Sequence, residues 1–228
     1  MRIFLLLLIL PAFPALLSAQ EEDRSWRIGL FAGMMNYQGD LQPTSFALQN
    51  THPMFTGYIR KNITNRFSAR LGLSIGQVSG YDSDNRDYLQ QRNLSFKSGL
   101  QELFLSVDYT VLDLSIYRLS PFVYGNASAF HFNPYTFDSR GQKIFLKPLS
   151  TEGQGLPDYP DRKPYKLVQP AVGFGGGLRY VVNQNAILNF YAGQNKSFTD
   201  YIDDVSKTYV DESKLLAARG RKAVELAF

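Results

Sequence analysis

Apolar and polar residues alternate with a period of two along most of the chain beyond residue 25. The clearest stretch surrounds Ser68 to Gln77. Phe67, Ala69, Leu71, Leu73 and Ile75 fall on one face, and Ser68, Arg70, Gly72, Ser74 and Gly76 on the other. Trp26 to Met35 repeats the pattern, with Trp26, Ile28, Leu30, Ala32 and Met34 opposing Arg27, Gly29, Phe31, Gly33 and Met35. From Gln101 to Val111, Leu103, Leu105, Val107, Tyr109 and Val111 oppose Glu102, Phe104, Ser106, Asp108 and Thr110. From Ala171 to Tyr180, Val172, Phe174, Leu178 and Tyr180 oppose Ala171, Gly173, Gly175, Gly177 and Arg179, and Leu188, Phe190 and Ala192 continue the theme. This is the period of β-strands, not of helices. Met54 to Asn62 and Phe122 to Phe132 also read as strands, although their two faces are less cleanly separated.

The polar faces are built from Gly, Ser and charged residues. A soluble sandwich would turn such residues to water. A small membrane barrel turns them inward, where space is short and charges can pair. Both signs occur on the inward-reading face, so Arg27, Arg70, Glu102, Asp108 and Arg179 are candidates for one charged network in the lumen. Connection lengths point the same way. Residues 62–66 and 183–185 are tight turns and 113–120 is moderate, whereas 38–53, 81–93 and 133–165 are long. Barrels of the outer membrane alternate short periplasmic turns with long outer loops. The expected fold is therefore all-β: a small antiparallel up-and-down transmembrane β-barrel of the eight-stranded type.

Only seven strands are counted up to about Asp204, however. Asp211 to Glu225 reads as a short helix in the C-terminal loop, broken near Gly220. Lys222 to Phe228 alternates, but it falls short of the roughly 9–11 residues that a crossing strand needs. The last strand is thus expected to be missing, and the barrel domain, residues 20–228, to be truncated at its C-terminus. A short closing strand at 222–228 is the other reading.

The N-terminus adds a location. Arg2 precedes the apolar run Phe4 to Leu10, and Ala12 to Leu17 continues it between prolines. Ser18-Ala19 is followed by Gln20-Glu-Glu-Asp. Residues 1–19 therefore read as a secretory signal peptide. No later stretch approaches about 18 uninterrupted apolar residues, so strands must do any crossing. Composition changes the picture little. The chain of 228 residues holds 24 basic and 20 acidic residues, for a net charge of +4, which makes no case for nucleic-acid binding. Cysteine is absent, which removes thiolate metal sites and cysteine nucleophiles. The 14 Tyr and 17 Phe against one Trp suit rings placed at membrane interfaces.

Candidate chemistry is thin. His52 and His131 stand alone, with no second ligand at metal-binding spacing. Ser128 and His131 would sit on opposite faces of a strand, which disfavours a lipid-modifying serine site. Gly173-Phe-Gly-Gly-Gly lacks the last glycine of a dinucleotide loop and any following Lys-Ser/Thr, so it fits close packing better. Asp200, Asp203, Asp204 and Asp211 read either as a solvated acidic loop or as oxygen ligands for a hard cation. Thr151-Glu-Gly-Gln-Gly lies in the longest loop, among Pro134, Pro148, Pro157, Pro160 and Pro164, which suggest a fixed shape. That loop would fold over the barrel mouth or meet a partner. No catalytic residue, metal or cofactor is expected.

Several segments together resemble a Bacteroidota family of small outer-membrane β-barrels of unknown function that includes PorG of the type IX secretion system. They are Ile28-Gly-Leu-Phe-Ala-Gly with Asn36-Tyr-Gln-Gly-Asp-Leu, Arg92-Asn-Leu-Ser-Phe-Lys-Ser, and His131-Phe-Asn-Pro. Leu149-Ser-Thr-Glu-Gly-Gln-Gly-Leu and Phe198-Thr-Asp-Tyr-Ile-Asp-Asp-Val-Ser-Lys-Thr-Tyr follow in the same order. The resemblance implies a non-enzymatic accessory role, in contact with outer-membrane lipid, the periplasmic lipoprotein PorK and the PorK–PorN ring. It marks Asn36, Tyr37, Gly39, Asp40, Arg92, Asn93, Thr151, Glu152, Gly153, Gln154, Gly155, Asp200, Tyr201, Asp203 and Asp204 as candidate loop-interaction residues. The alternative is a free-standing structural or ligand-binding barrel that works through its outer loops.

Overall fold

The structure is a computed structural model that describes residues 25–42, 48–84 and 94–227. The expected signal peptide, Arg92 and Asn93 lie outside the described residues.

Seven long strands form one antiparallel meander: β1 (Trp26–Met35), β2 (His52–Asn62), β3 (Phe67–Tyr81), β4 (Ser95–Thr110), β5 (Leu119–Phe132), β8 (Val168–Val181) and β9 (Ile187–Ser197). Each pairs with the next, in the order β1-β2-β3-β4-β5-β8-β9. A small hairpin, β6 (Tyr135–Phe137) and β7 (Lys143–Phe145), joins through β6 to β4. The result is mostly antiparallel sheet, curled into a half-barrel. Among the described residues no ladder joins β1 to β9. Their inner side chains nonetheless meet: the Phe31 and Tyr191 rings stack with centroids 4.4 Å apart.

Register keeps the two faces apart because the side-chain period is two. Leu71 lies opposite Leu105 and Leu73 opposite Leu103, while Ser68 lies opposite Asp108 and Arg70 opposite Ser106. The apolar set is exposed and the polar set buried, strand after strand. The interior is narrow, and glycine is what allows it. A Cβ on Gly173 would lie 1.8 Å from Asn195 Oδ1 and 2.2 Å from Asn126 Oδ1. Among the described residues no helix is long and apolar enough to cross a membrane, which says nothing of crossing by strands.

The two ends of the sheet differ. One carries the short connections 63–66, 111–118 and 182–186. The other carries the long ones, whose described residues fold into a cap with a core of its own. Tyr37, Leu41, Val78, Phe96 and Leu146 pack together, as do Leu156, Val210, Leu215, Ala223 and Ala227. A third group, Phe130, Phe132, Tyr165 and Ala171, ties the cap to the strands.

One element departs from the sequence reading: the longest loop contains the β6–β7 hairpin, whose strands of three residues are too short for a period to be read. The C-terminal helical stretch breaks at Gly220 as expected, into α1 (Glu212–Arg219) and α2 (Arg221–Ala227). Asp211 caps the first by accepting from the Lys214 N–H at 3.1 Å, and Gly220, at φ +81°, turns the chain between them. Residues 222–227 are therefore helical and form no closing strand. Leu215 and Ala223 are buried in the cap, which holds both helices there.

Candidate functional site

Two clusters collect the candidate residues. The first lies inside the sheet. Asp108 on β4 accepts from Arg70 Nε at 3.0 Å and from Ser106 Oγ at 3.0 Å through one oxygen. Its other oxygen accepts from Arg179 Nη2 at 2.9 Å. Arg70 Nη2 also donates to Ser106 Oγ, and Arg179 donates to Thr110 Oγ1 and Asn189 Oδ1. The Arg70 guanidinium lies 5.2–5.5 Å from the Tyr58, Tyr124 and Tyr191 ring centres. One buried carboxylate thus serves two buried guanidiniums that reach across the inner face of the sheet from β3 to β8.

The other two expected members stand apart. Glu102 faces inward but accepts from Asn195 Nδ2 at 2.9 Å and makes no ion pair with Arg70, because it lies two turns of the pleat beyond Ser106. Arg27 Nη1 reaches the Gln184 carbonyl at 3.4 Å, at the short-turn end. Sequence reasoning missed Arg60. It is buried on β2, opposite both Arg27 and Arg70, and its Nε has no hydrogen-bond partner. The signal was the inward set Tyr58, Arg60 and Asn62, which the mixed face of β2 obscured.

The second cluster is the cap, and it gathers three of the resembling segments. Asp203 accepts from the Tyr37 hydroxyl at 2.8 Å, from Leu41 N–H at 3.4 Å and from Val205 N–H at 3.1 Å. Asp204 accepts from Tyr165 OH at 2.5 Å and Thr151 Oγ1 at 2.6 Å. Both acids are nearly solvent-free, so the solvated-loop reading does not describe them. They are hydrogen-bonded staples between loops. Burial raises Asp203 to about 7 and Asp204 to about 6, and it outweighs the donors that act to lower them. Burial beside these carboxylates also raises the Tyr37 and Tyr165 phenols.

Thr151-Glu-Gly-Gln-Gly is a clasp of the same kind. Glu152 Oε1 accepts from the Ser206 and Lys207 N–H groups at 3.1 and 2.8 Å. Gly153 and Gly155 both sit at φ +77°, a left-handed conformation that disfavours any side chain. Gln154 is buried and accepts from Glu152 N–H. Burial raises the Glu152 carboxyl. Arg162, also missed, donates to the Glu152 and Thr208 carbonyls at 2.8 and 2.6 Å. Tyr201 stacks on Tyr165 with centroids 4.8 Å apart. Asn36 donates to Thr51, and Gly39 makes an isolated two-bond bridge with Gln42. Asp40 and Asp200 remain at the surface.

Ser128 faces inward and His131 outward on β5. Among the described residues, no three His, Cys, Asp or Glu side chains are grouped to hold a metal ion.

Residues 1–146 match the family described as a domain of unknown function, DUF6089, and the chain belongs to that family. No curated protein and no solved structure matches the chain.

Proposed function

We propose that the chain is a non-enzymatic outer-membrane β-barrel protein and a PorG-like accessory component of the type IX secretion system, associating with PorK and the PorK–PorN ring. The observation that carries the membrane part is the outer face of the sheet. Ile28 and Leu30 on β1 are 86% and 87% exposed, and Leu73, Leu105, Val123, Phe174 and Phe190 continue the band across five further strands. A soluble protein rarely leaves so broad an apolar surface to water. Hydrocarbon suits it, and the buried Arg–Asp–Arg interior suits a closed polar lumen. In this reading the cap faces outward and the short turns face the periplasm.

The secretion part is supported by the ordered resembling segments, three of which meet in the cap. The non-enzymatic part is supported by the opposite facing of Ser128 and His131.

The test is made in the native organism. Fractionation should place the mature chain in the outer membrane, extractable only with detergent. Deletion should impair export of type IX cargo and leave lipid A unchanged. Recovery as a soluble periplasmic protein would refute the membrane reading, and normal export with altered lipid acylation would refute the secretion role. The cavity beneath the cap favours the second reading, a free-standing ligand-binding barrel. Failure to co-purify PorK, with normal export, would select it.

A further inference from the structure

Besides the cavity beneath the cap, of about 630 Å³, the described residues form an open groove of about 320 Å³. It lies on the outward face of the sheet, where the apolar band ends. Ile75, Gln101 and His131 stand in one row across β3, β4 and β5, each directly opposite the next. Phe67 to Ile75 is about 26 Å of strand, which a tilt of about 35–45° reduces to roughly 20 Å, against an apolar band of about 25 Å. The row therefore falls at the edge of the band and not in its middle.

Glycine opens the floor of the groove. Gly99 is the next outward residue on β4, and a Cβ there would meet nothing within 4 Å. The β6–β7 hairpin supplies the wall. Tyr135 reaches back to β3, where Gln77 Nε2 donates to its hydroxyl at 3.1 Å. The Lys143 ammonium is held on the hairpin's rings, 3.8 Å from the Tyr135 centre and 5.0 Å from that of Phe145. His131 and Gln101 are exposed and bring further N–H donors. No Asp or Glu lines the groove. It gathers donors, one of them a cation, with no carboxylate to receive them.

A furrow leads from this groove along the band. Beyond His131 the outward residues of β5 are Ala129, Ala127 and Gly125. Leu103, Leu105 and Val107 stand opposite them on β4, and Pro170, Val172 and Phe174 on β8. Two rows of larger apolar side chains thus flank three positions with almost none. We infer, on the reading of the outward face as lipid-facing, that the groove binds a phosphate-bearing lipid. Lys143, His131 and Gln101 donate to the phosphate oxygens, and an acyl chain lies in the furrow over Ala129, Ala127 and Gly125. Charge complementarity selects the head group, and the furrow selects a lipid over a free phosphate ion.

The probe is dioleoyl phosphatidate. Dioleoyl phosphatidylcholine, with the same acyl chains and no net charge, is the control. The full chain is held in neutral-detergent micelles, and native mass spectrometry counts the lipids it retains. Phosphatidate should saturate at one per chain, at a concentration about tenfold or more below phosphatidylcholine, as a charge-assisted hydrogen bond provides. Lys143→Gln should remove most of that difference, and Gly99→Leu, which fills the floor from its open side, should weaken both lipids. Lys61→Gln, at the other end of the outward face beside Trp26, should change neither. Equal retention of the two lipids, an effect of Lys61→Gln as large as that of Lys143→Gln, or displacement of phosphatidate by an equal concentration of inorganic phosphate would overturn the inference. The comparison of the two lipids on the unaltered chain decides the matter even where a variant folds poorly. Fractionation tests the membrane reading separately: an outer-membrane chain without a preference for phosphatidate overturns this site alone, and a soluble periplasmic chain overturns both.

Discussion

Asp108 is the single anion between two arginines, and that asymmetry sets what each substitution costs. Asp108 is 0% exposed, Arg179 1% and Arg70 5%. Asp108→Leu strands two guanidiniums beside Arg60, a third buried arginine. Breaking a buried ion pair from one side costs about 3–5 kcal/mol. Arg70→Leu removes hydrogen bonds but leaves Asp108 still held by Arg179 and Ser106, so no carboxylate is stranded. The loss of charge-assisted bonds then amounts to about 1.5–3 kcal/mol. Urea unfolding in neutral-detergent micelles, followed by the emission of Trp26 on the outward face of β1, measures both variants. Asp108→Leu should have the lower midpoint, by an amount equivalent to roughly 2 kcal/mol. Replacing Arg70, Asp108 and Arg179 together by Met, Leu and Met should recover most of the loss. If Arg70→Leu proves as damaging as Asp108→Leu, the shared-carboxylate reasoning is wrong.

The cap should loosen as pH rises. Asp203 and Asp204 hold a proton more tightly folded than unfolded, so their contribution is full below the ordinary value of 3.8 and is lost as pH climbs through about 6 and about 7. Glu152 shifts in the same direction, while Asp40 acts on Asp203, and Asp40 and Asp200 on its partner Tyr37, from the surface. Proteolytic protection of residues 150–165 should therefore fall between about pH 4 and 8, and Asp203→Asn with Asp204→Asn should flatten the profile; protection that rises with pH would contradict the burial argument. Glycine on the curled sheet is a matter of space. A Cβ at Gly177 would lie 1.9 Å from the Phe190 carbonyl oxygen, whereas one at Gly99 meets nothing within 4 Å. Gly177→Ala should cost about 1–3 kcal/mol and Gly99→Ala under about 0.5, read from the same unfolding curves.

The strands were legible because their signal is local. Trp26 to Met35 could be bounded to the residue, since a single alternation runs its whole length against an uninterrupted partner. Inward placement of Arg70, Asp108 and Arg179 follows from the same parity. Which of them touch does not, because that depends on how far the sheet curls and on register across strands distant in sequence. Glu102 has the right face but the wrong height. The cap was almost wholly illegible. Asp203 and Asp204 look like solvent-exposed acids in any local window, and only contacts to Tyr37, Thr151 and Tyr165 bury them. Lys222 to Ala227 carries a pattern open to strand or helix, and packing of Ala223 and Ala227 beneath Leu156 and Val210 decides for helix.

Strand β4 connects the two halves of the molecule, and its inward residues change character along its length. Phe96 and Leu100 pack with the cap, Glu102 and Phe104 lie between, and Ser106, Asp108 and Thr110 belong to the charged network. Phe96 and Asp108 are separated by roughly 40 Å of strand at about 3.3 Å per residue. No cap residue hydrogen-bonds to Arg70, Asp108 or Arg179 among the described contacts. Sites so far apart, with no shared partner, should contribute additively to within about 0.5 kcal/mol. A chain carrying Asp108→Leu should therefore show the same pH profile of cap protection as the unaltered chain, offset only in overall stability. A change in the shape of that profile would mean that β4 transmits the lumen charge to the cap, and that the two cores act as one cooperative unit.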